Sequence, residues 1–152
     1  MSRPPSPSKP LTVTLRPVEA GDLPALFEQQ LDPEANRMAV ANPRDAEAFA
    51  AHWARIFASP ETIARAVIAD GVLVGTVSCF GMEGLPAIGY WIDRAHWGRG
   101  IATRAVALLL AGVPTRPLDA RAAASNVASI QVLERNGFVI TGTREAPADD
   151  RF

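Results

Sequence analysis

The sequence is poor in cysteine, in long apolar runs and in excess charge of either sign. Its one cysteine, Cys79, has no second thiol to pair with, so an internal disulfide is excluded and a reducing, cytoplasmic setting is expected. The 15 basic and 16 acidic side chains give a formal net charge of −1, which argues against an electrostatic nucleic-acid footprint. No apolar run approaches the roughly 20 residues of a membrane-spanning helix. We therefore expect neither a nucleic-acid partner nor a membrane span.

Histidine and tyrosine are scarce as well. The two histidines, His52 and His96, lie far apart and have no cysteine or acidic side chain at metal-ligand spacing, so no metal site is expected. Tyr90 is the only tyrosine, which leaves a single phenol for any chemistry.

The length of 152 residues fits one domain that can bury its own core. Residues 1–10 contain four prolines and lack the apolar core of a signal peptide, so they are expected to form a disordered tail. The domain is then expected to occupy residues 11–152.

Hydrophobic periodicity predicts an alternation of strands and helices along this domain. The Asp70-Gly71 pair between two apolar runs indicates a hairpin, and Asn42-Pro43 favours a helix start there. The next helix carries Phe49 and Trp53 on an apolar face that is expected to be core. Segment 34–41 reads equally as a helical turn or a loop. Strands are predicted at 11–16, 62–70, 72–80, 85–92, 117–123 and 138–143, and helices at about 19–31, 43–59, 101–111 and 126–136.

The most informative stretch is 96–104, where two glycines flank an arginine between a strand and a helix. A helix N-terminus presents unpaired N–H groups and the positive end of a dipole, so it suits an anion. Gly98 and Gly100 would let that anion approach the backbone closely. No lysine follows the second glycine and no third glycine completes a dinucleotide fingerprint, so both of those nucleotide motifs are excluded.

Two motifs make the chain from 11 to 143 resemble the GNAT N-acetyltransferase superfamily. Residues 97–102, Trp-Gly-Arg-Gly-Ile-Ala, are similar to the family's acyl-CoA signature Q/R-x-x-G-x-G/A, with tryptophan in the first position. Residues 126–129 and 133–138 resemble an N-x-x-S…L-E-x-x-G-F signature. Both variants are typical of the branch of ribosomal-protein N-terminal acetyltransferases (RimJ/RimL-like).

The resemblance implies a mixed α/β fold with a mostly antiparallel sheet, splayed at an acetyl-CoA site and flanked by about four helices. It implies that the backbone of residues 90–92 pairs with pantetheine and that the N–H groups of residues 98–103 bind the pyrophosphate. The cofactor-binding residues carried over are Tyr90, Trp91, Ile92, Gly98, Arg99, Gly100, Ile101, Ala102, Thr103, Asn126 and Ser129.

The implied reaction is direct acetyl transfer from acetyl-CoA to a primary amine, on a protein N-terminus or a small molecule. Many relatives protonate the leaving thiolate with a tyrosine near the position where Leu133 stands, so Ser129 becomes the candidate for that step. Relatives often place a glutamate base on the strand before the glycine turn, where this chain has Pro86 and Ala87. The base is left open among Glu28, Glu34, Glu83, Asp93, His96 and a water chain.

Several alternatives stay open at this point. The domain could bind acyl-CoA as a sensor or regulatory module with little catalysis. Arg99 could contact phosphate or be solvated, Trp91 could line the acceptor pocket or the core, and Asn126 could be a plain helix cap. The chain is expected to be a monomer or a homodimer. The family's usual last strand has no counterpart in 146–152, so it is expected to be missing or supplied by a partner.

Overall fold

The computed structural model describes residues 11–143 and contains a five-stranded sheet. Its strands are Val13–Pro17 (β1), Ile63–Ala69 (β2), Val72–Met82 (β3), Leu85–Ile92 (β4) and Asp119–Ala120 (β5). The strands lie side by side in sequence order, antiparallel from β1 to β4, with β5 parallel to β4. The predicted class, a mixed α/β fold with a mostly antiparallel sheet, is confirmed.

Five α-helices form within residues 11–143, one more than the sequence predicts. They are Leu23–Gln30 (α1), Pro33–Ala39 (α2), Ala46–Ala58 (α3), Ile101–Gly112 (α4) and Val127–Arg135 (α5). The additional helix is α2, in the segment whose structure the pattern left open. It begins because the Asp32 carboxylate accepts a hydrogen bond from the Ala35 N–H at 3.2 Å while Pro33 occupies the first turn. None of the five is long and apolar enough to cross a membrane.

The helices cover the two faces of the sheet and define two cores. On one face α4 and α5 pack on the sheet, with Val67, Val77 and Ile101 almost completely buried. On the other face α1 and α3 bury Phe49 and Trp53, as predicted, at 8% and 6% exposure. Because helices cover both faces of the sheet, a cleft can open where β4 and β5 separate.

The predicted helix start at Asn42-Pro43 is wrong. Helix α3 begins at Ala46, because Asp45 accepts a hydrogen bond from the Ala48 N–H at 2.8 Å. The residues before it are held outside the helix by Gln30, whose side-chain amide exchanges two 2.8 Å hydrogen bonds with the backbone of Arg44. A distant side chain therefore overrides the local Asn-Pro signal.

The last two predicted strands need correction. The fifth, predicted over 117–123, pairs with β4 at two positions only, because the two strands diverge beyond Ala120. The sixth, predicted over 138–143, does not form in the described part of the chain: a hydrophobic run makes a strand only when another edge pairs with it, and Val139 and Ile140 stay exposed. The predicted tail at 1–10 and the predicted lack of a last strand after 143 lie outside the described residues.

Candidate active site

The central feature of the site is the divergence of β5 from β4. Ala87 pairs with Asp119 and Ile88 pairs with Ala120, and the parallel ladder ends there. Beyond it, residues 89–92 remain paired to β3 on their other side, with Tyr90 opposite Val77. The edge of β4 that faces β5 thus offers backbone N–H and C=O groups to an extended ligand, the arrangement of a sheet that accepts one more strand.

The glycine-rich turn leads from β4 into α4 and takes the shape of an anion cradle. Gly98 and Gly100 have φ angles of +78° and +75°, in the left-handed region that residues with a Cβ rarely adopt. The first backbone hydrogen bond of α4 runs from the Arg104 N–H to the Gly100 carbonyl at 3.2 Å. The N–H groups that precede Arg104 in this turn therefore have no intrahelical acceptor and suit a bound anion.

Two side chains of the turn contact neighbouring groups of the protein. The indole Nε1 of Trp97 donates a hydrogen bond to the Ile92 carbonyl oxygen at 2.8 Å. The guanidinium of Arg99 lies 3.2 Å from His96 Nδ1 and 4.0 Å from the Asp70 carboxylate, and its side chain is 46% exposed. The Arg99 guanidinium therefore lies on the Asp70 side of the turn, and its contact with phosphate stays a prediction.

The start of α5 closes the opposite side of the cleft. Asn126 caps this helix by accepting a hydrogen bond from the Ser129 N–H at 3.2 Å. The Ser129 hydroxyl oxygen lies 2.7 Å from the hydroxyl oxygen of Tyr90 on β4. A further hydrogen bond joins the end of α5 to α4: Asn136 Nδ2 donates to the Thr103 carbonyl oxygen at 3.2 Å.

Between these walls lies a cleft of about 370 Å³. Ala35, Met38 and Ala39 of α2 border it as well, at the side where the sheet divides. It brings together every cofactor-binding residue predicted from the sequence except Arg99. The predicted residues that line it are Tyr90, Trp91, Ile92, Gly98, Gly100, Ile101, Ala102, Thr103, Asn126 and Ser129.

Trp91 separates this cleft from a smaller one on the other face of the sheet. The smaller pocket has a volume of about 100 Å³ and is lined by residues of α1 and α3, including Gln29 and Trp53. The indole Nε1 of Trp91 and the amide oxygen of Gln29 are buried there without a hydrogen-bond partner among residues 11–143. Trp91 therefore lines both the cleft and the smaller pocket, and its place in an acceptor pocket stays a prediction.

The contact between Tyr90 and Ser129 was not foreseen from the sequence. The alternation of β4 could have indicated it, because Tyr90 shares a face with Ile88 and Ile92, and both of those contact the core under α4 and α5. Burial raises the pKa of the Tyr90 phenol above its ordinary value, and the hydrogen bond with Ser129 offsets part of that rise.

The candidates for a general base are scattered. Only His96 lines the cleft, beside the glycine turn. Glu34 pairs with Arg37 on α2, and Glu83 lies 2.8 Å from the Arg121 guanidinium across the end of the sheet. Within residues 11–143 no group of three or more histidine, cysteine or acidic side chains could hold a metal ion.

The fold and the cleft agree with a known family. Residues 12–139 match the model of the acetyltransferase (GNAT) domain, and the chain therefore belongs to the GNAT acetyltransferase family. The resemblance seen in the sequence is confirmed.

Among curated proteins, the chain is similar to the probable N-acetyltransferase YjcK of Bacillus subtilis (strain 168), with 38% identity over 77 residues. The matched region is 45% of this chain and 42% of that protein, so it spans less than half of the relative.

Two solved structures share the fold at low identity. Spermidine N-acetyltransferase from Vibrio cholerae, in complex with CoA and spermine, has a TM-score of 0.75 at 18% identity, over 86% of this chain and 82% of that one. RimL, a ribosomal L7/L12 α-N-protein acetyltransferase, has a TM-score of 0.74 at 22% identity, over 86% of this chain and 78% of that one. The second belongs to the branch indicated by the sequence motifs.

Proposed function

We propose that this protein is an acetyl-CoA-dependent N-acetyltransferase that acts on a primary amine by direct attack in a ternary complex. One observation carries the proposal: the anion cradle at the start of α4, the unpaired edge of β4 and the Ser129 hydroxyl all face a single cleft. Membership of the GNAT family supports it.

The residues present fit acetyl-CoA along the length of the cleft. Gly98 and Gly100 leave open space where a Cβ would stand, so a pyrophosphate can reach the N–H groups of the turn. The backbone of residues 90–92 would pair with the amides of pantetheine, and Asn126 would hold the pantetheine end. Ile101 and Ala102 keep the start of α4 apolar and compact beside it. When bound, acetyl-CoA supplies a thioester carbonyl for the amine and a thiolate as leaving group.

Ser129 is the group of this chain proposed to assist the leaving thiolate, by hydrogen bonding, or by protonation with solvent returning the proton to the Ser129 hydroxyl. It stands in the first turn of α5, where the Asn126 cap fixes its backbone. Leu133, one helical turn further on, is buried and has no group that could donate a proton. The base that takes the proton from the amine is proposed to be a water chain or one of the open candidates, of which His96 is the one in the cleft.

The acceptor is proposed to be a protein N-terminal amine or a small amine, classes represented by the RimL and spermidine N-acetyltransferase structures. It would enter at the side of the cleft bordered by Ala35, Met38 and Trp91. A cytoplasmic location and a monomer or homodimer remain predictions from the sequence.

The test is release of free CoA thiol from acetyl-CoA in the presence of single amines: a peptide with a free N-terminus, the same peptide N-acetylated, and spermidine. Acetylation of the product is confirmed by mass. Turnover with a free amine and none with the blocked peptide is the expected result. Tight CoA binding without turnover on any amine would instead favour a sensor or regulatory module.

Ser129→Ala is expected to lower kcat by about 100-fold, the contribution typical of a positioned acid, with little change in CoA affinity. Ser125→Ala is the matched control, because Ser125 is exposed in the same loop just before the Asn126 cap. An unchanged kcat in Ser129→Ala would remove this side chain from the mechanism.

A further inference from the structure

The hydroxyls of Tyr90 and Ser129 are in contact across the cleft. They lie 2.7 Å apart although the residues are 39 positions apart in the chain, and their bond joins β4 to α5 across the cleft. Tyr90 is the only tyrosine, and both side chains line the cleft.

The direction of this hydrogen bond decides whether the Ser129 hydroxyl can donate to a ligand in the cleft. A serine hydroxyl has one hydrogen to donate and two lone pairs to accept with. If Ser129 donates to Tyr90, its one hydrogen is engaged within the protein and is not available to a ligand. If the phenol donates instead, the Ser129 oxygen is polarised and its own hydrogen can turn toward a ligand in the cleft.

The phenol is suited to be the donor. A phenol is a stronger acid than an aliphatic alcohol and so the better hydrogen-bond donor of the two. Burial raises the pKa of Tyr90, so the phenol keeps its hydrogen throughout the neutral range. Tyr90 also packs against the core under α4 and α5, which restricts its ring to this position.

We propose that Tyr90 is a positioning residue: its phenol donates to the Ser129 hydroxyl oxygen and thereby directs the Ser129 hydrogen toward the sulfur of the leaving thiol. This rests on the proposed function in two respects: CoA lies in the cleft, and its sulfur meets the Ser129 hydroxyl. No bond to Tyr90 forms or breaks, and the phenol keeps its proton throughout.

The first test is a double-mutant cycle of Tyr90→Phe and Ser129→Ala. Tyr90→Phe keeps the ring and its packing, so thermal stability and the KM for acetyl-CoA are expected to stay near the wild type while kcat falls by about tenfold, equivalent to about 1.4 kcal/mol. The double variant is expected to be as slow as Ser129→Ala alone, because without the hydroxyl the phenol has nothing to direct. Additive losses, or a change confined to KM, would overturn the proposal.

The second test does not depend on turnover. The pKa of the CoA thiol is measured in the complex from the ultraviolet absorbance of the thiolate. A hydrogen donated to the sulfur favours the thiolate, so this pKa is expected to be lower in the wild-type complex than in free CoA. It should rise toward the free value in both single variants, and an unchanged thiol pKa in Tyr90→Phe would contradict the proposal.

The two tests separate the possible failures. Suppose that the pKa of the bound CoA thiol differs between the wild type and Tyr90→Phe, but the wild type acetylates no amine. This result would contradict the proposed function and leave the role of Tyr90 standing. A wild type that turns over amines but is insensitive to Tyr90→Phe in both tests would do the reverse.

Discussion

The indole of Trp97 is hydrogen-bonded to the carbonyl oxygen of Ile92 at 2.8 Å, which ties the glycine turn to the last residue of β4. Trp97 is 38% exposed, so its contribution to the core is small. The role of Trp97 is therefore to hold the turn in place beside the strand edge that is proposed to receive pantetheine.

Trp97→Phe is expected to weaken CoA binding by about fivefold, because loss of one hydrogen bond costs about 1 kcal/mol and releases the turn. Isothermal titration with CoA measures the affinity. The melting temperature should fall by only a few degrees, the shift that about 1 kcal/mol gives in a domain of this size. An unchanged affinity would show that the turn keeps its shape without this bond.

The second prediction concerns the left-handed backbone conformation of Gly100. Its φ of +75° at the cap of α4 costs about 1–2 kcal/mol for a residue with a Cβ, although a Cβ there would meet open space. Gly100→Ala should therefore lower both the free energy of unfolding and the affinity for CoA, whose pyrophosphate is proposed to occupy that space.

The control for Gly100 is Gly112→Ala at the other end of the same helix. A Cβ on Gly112 also meets nothing within 4 Å, and its φ lies outside the left-handed region. This variant should bind CoA as the wild type does and should be as stable or slightly more stable. Equal effects of the two substitutions would contradict the argument from φ.

The parts of the site predicted from the sequence are those specified by local chemistry. Gly98 and Gly100 lie between a strand end and a helix start, as predicted, and both adopt φ angles in the left-handed region. Phe49 and Trp53 are core because helical spacing alone puts them on one face.

The parts that failed depend on distant partners. Asn42-Pro43 does not start a helix because Gln30 holds the backbone of Arg44 outside it. Residues 138–143 have strand-like alternation, but a strand also needs an edge to pair with, and periodicity says nothing about that edge. The bond between Tyr90 and Ser129 joins elements 39 residues apart, so no short motif could contain it.

The third prediction concerns Gly75 on β3. This residue pairs with Ile92 on β4, the strand that is proposed to contact the cofactor. A Cβ on Gly75 would overlap the carbonyl oxygen of Trp91, which is backbone and cannot turn aside. Gly75→Ala should force β3 and β4 apart and cost about 1–3 kcal/mol or more of unfolding free energy. It should also weaken CoA binding, because the displaced backbone includes residues 90–92.

Gly81→Ala is the matched control for Gly75, since Gly81 lies in the same strand and a Cβ there would meet nothing within 4 Å. Urea unfolding of both variants measures the difference. Equal stability of the two would contradict the close approach at Trp91.

The last prediction concerns pH and the ion pair that connects β1 to the start of α1. The Arg16 guanidinium donates to both carboxylate oxygens of Asp22, at 2.7 and 2.8 Å, and the Glu19 N–H donates to the same carboxylate at 2.8 Å. The hydrogen bonds from Arg16, together with that from Glu19, hold the pKa of Asp22 below its usual value despite burial. The folded state therefore favours the ionised carboxylate, and the stability this gives is present above the unfolded-state pKa of about 4 and lost as pH falls through the lower folded-state value.

Asp22→Asn should consequently lower the free energy of unfolding at pH 7 by about 1 kcal/mol, because it loses the charge-assisted hydrogen bonds from Arg16, which solvent screens in part. The gap between variant and wild type should shrink as the pH is lowered below about 4, because wild-type Asp22 then becomes protonated. Urea unfolding at a series of pH values measures this gap. Glu61→Gln, at an exposed carboxylate in the loop before β2, controls for removal of one negative charge and should track the wild type. A gap between Asp22→Asn and the wild type that stayed constant through the acid range would mean that the stability comes from the shape of the Asp22 side chain and not from its charge.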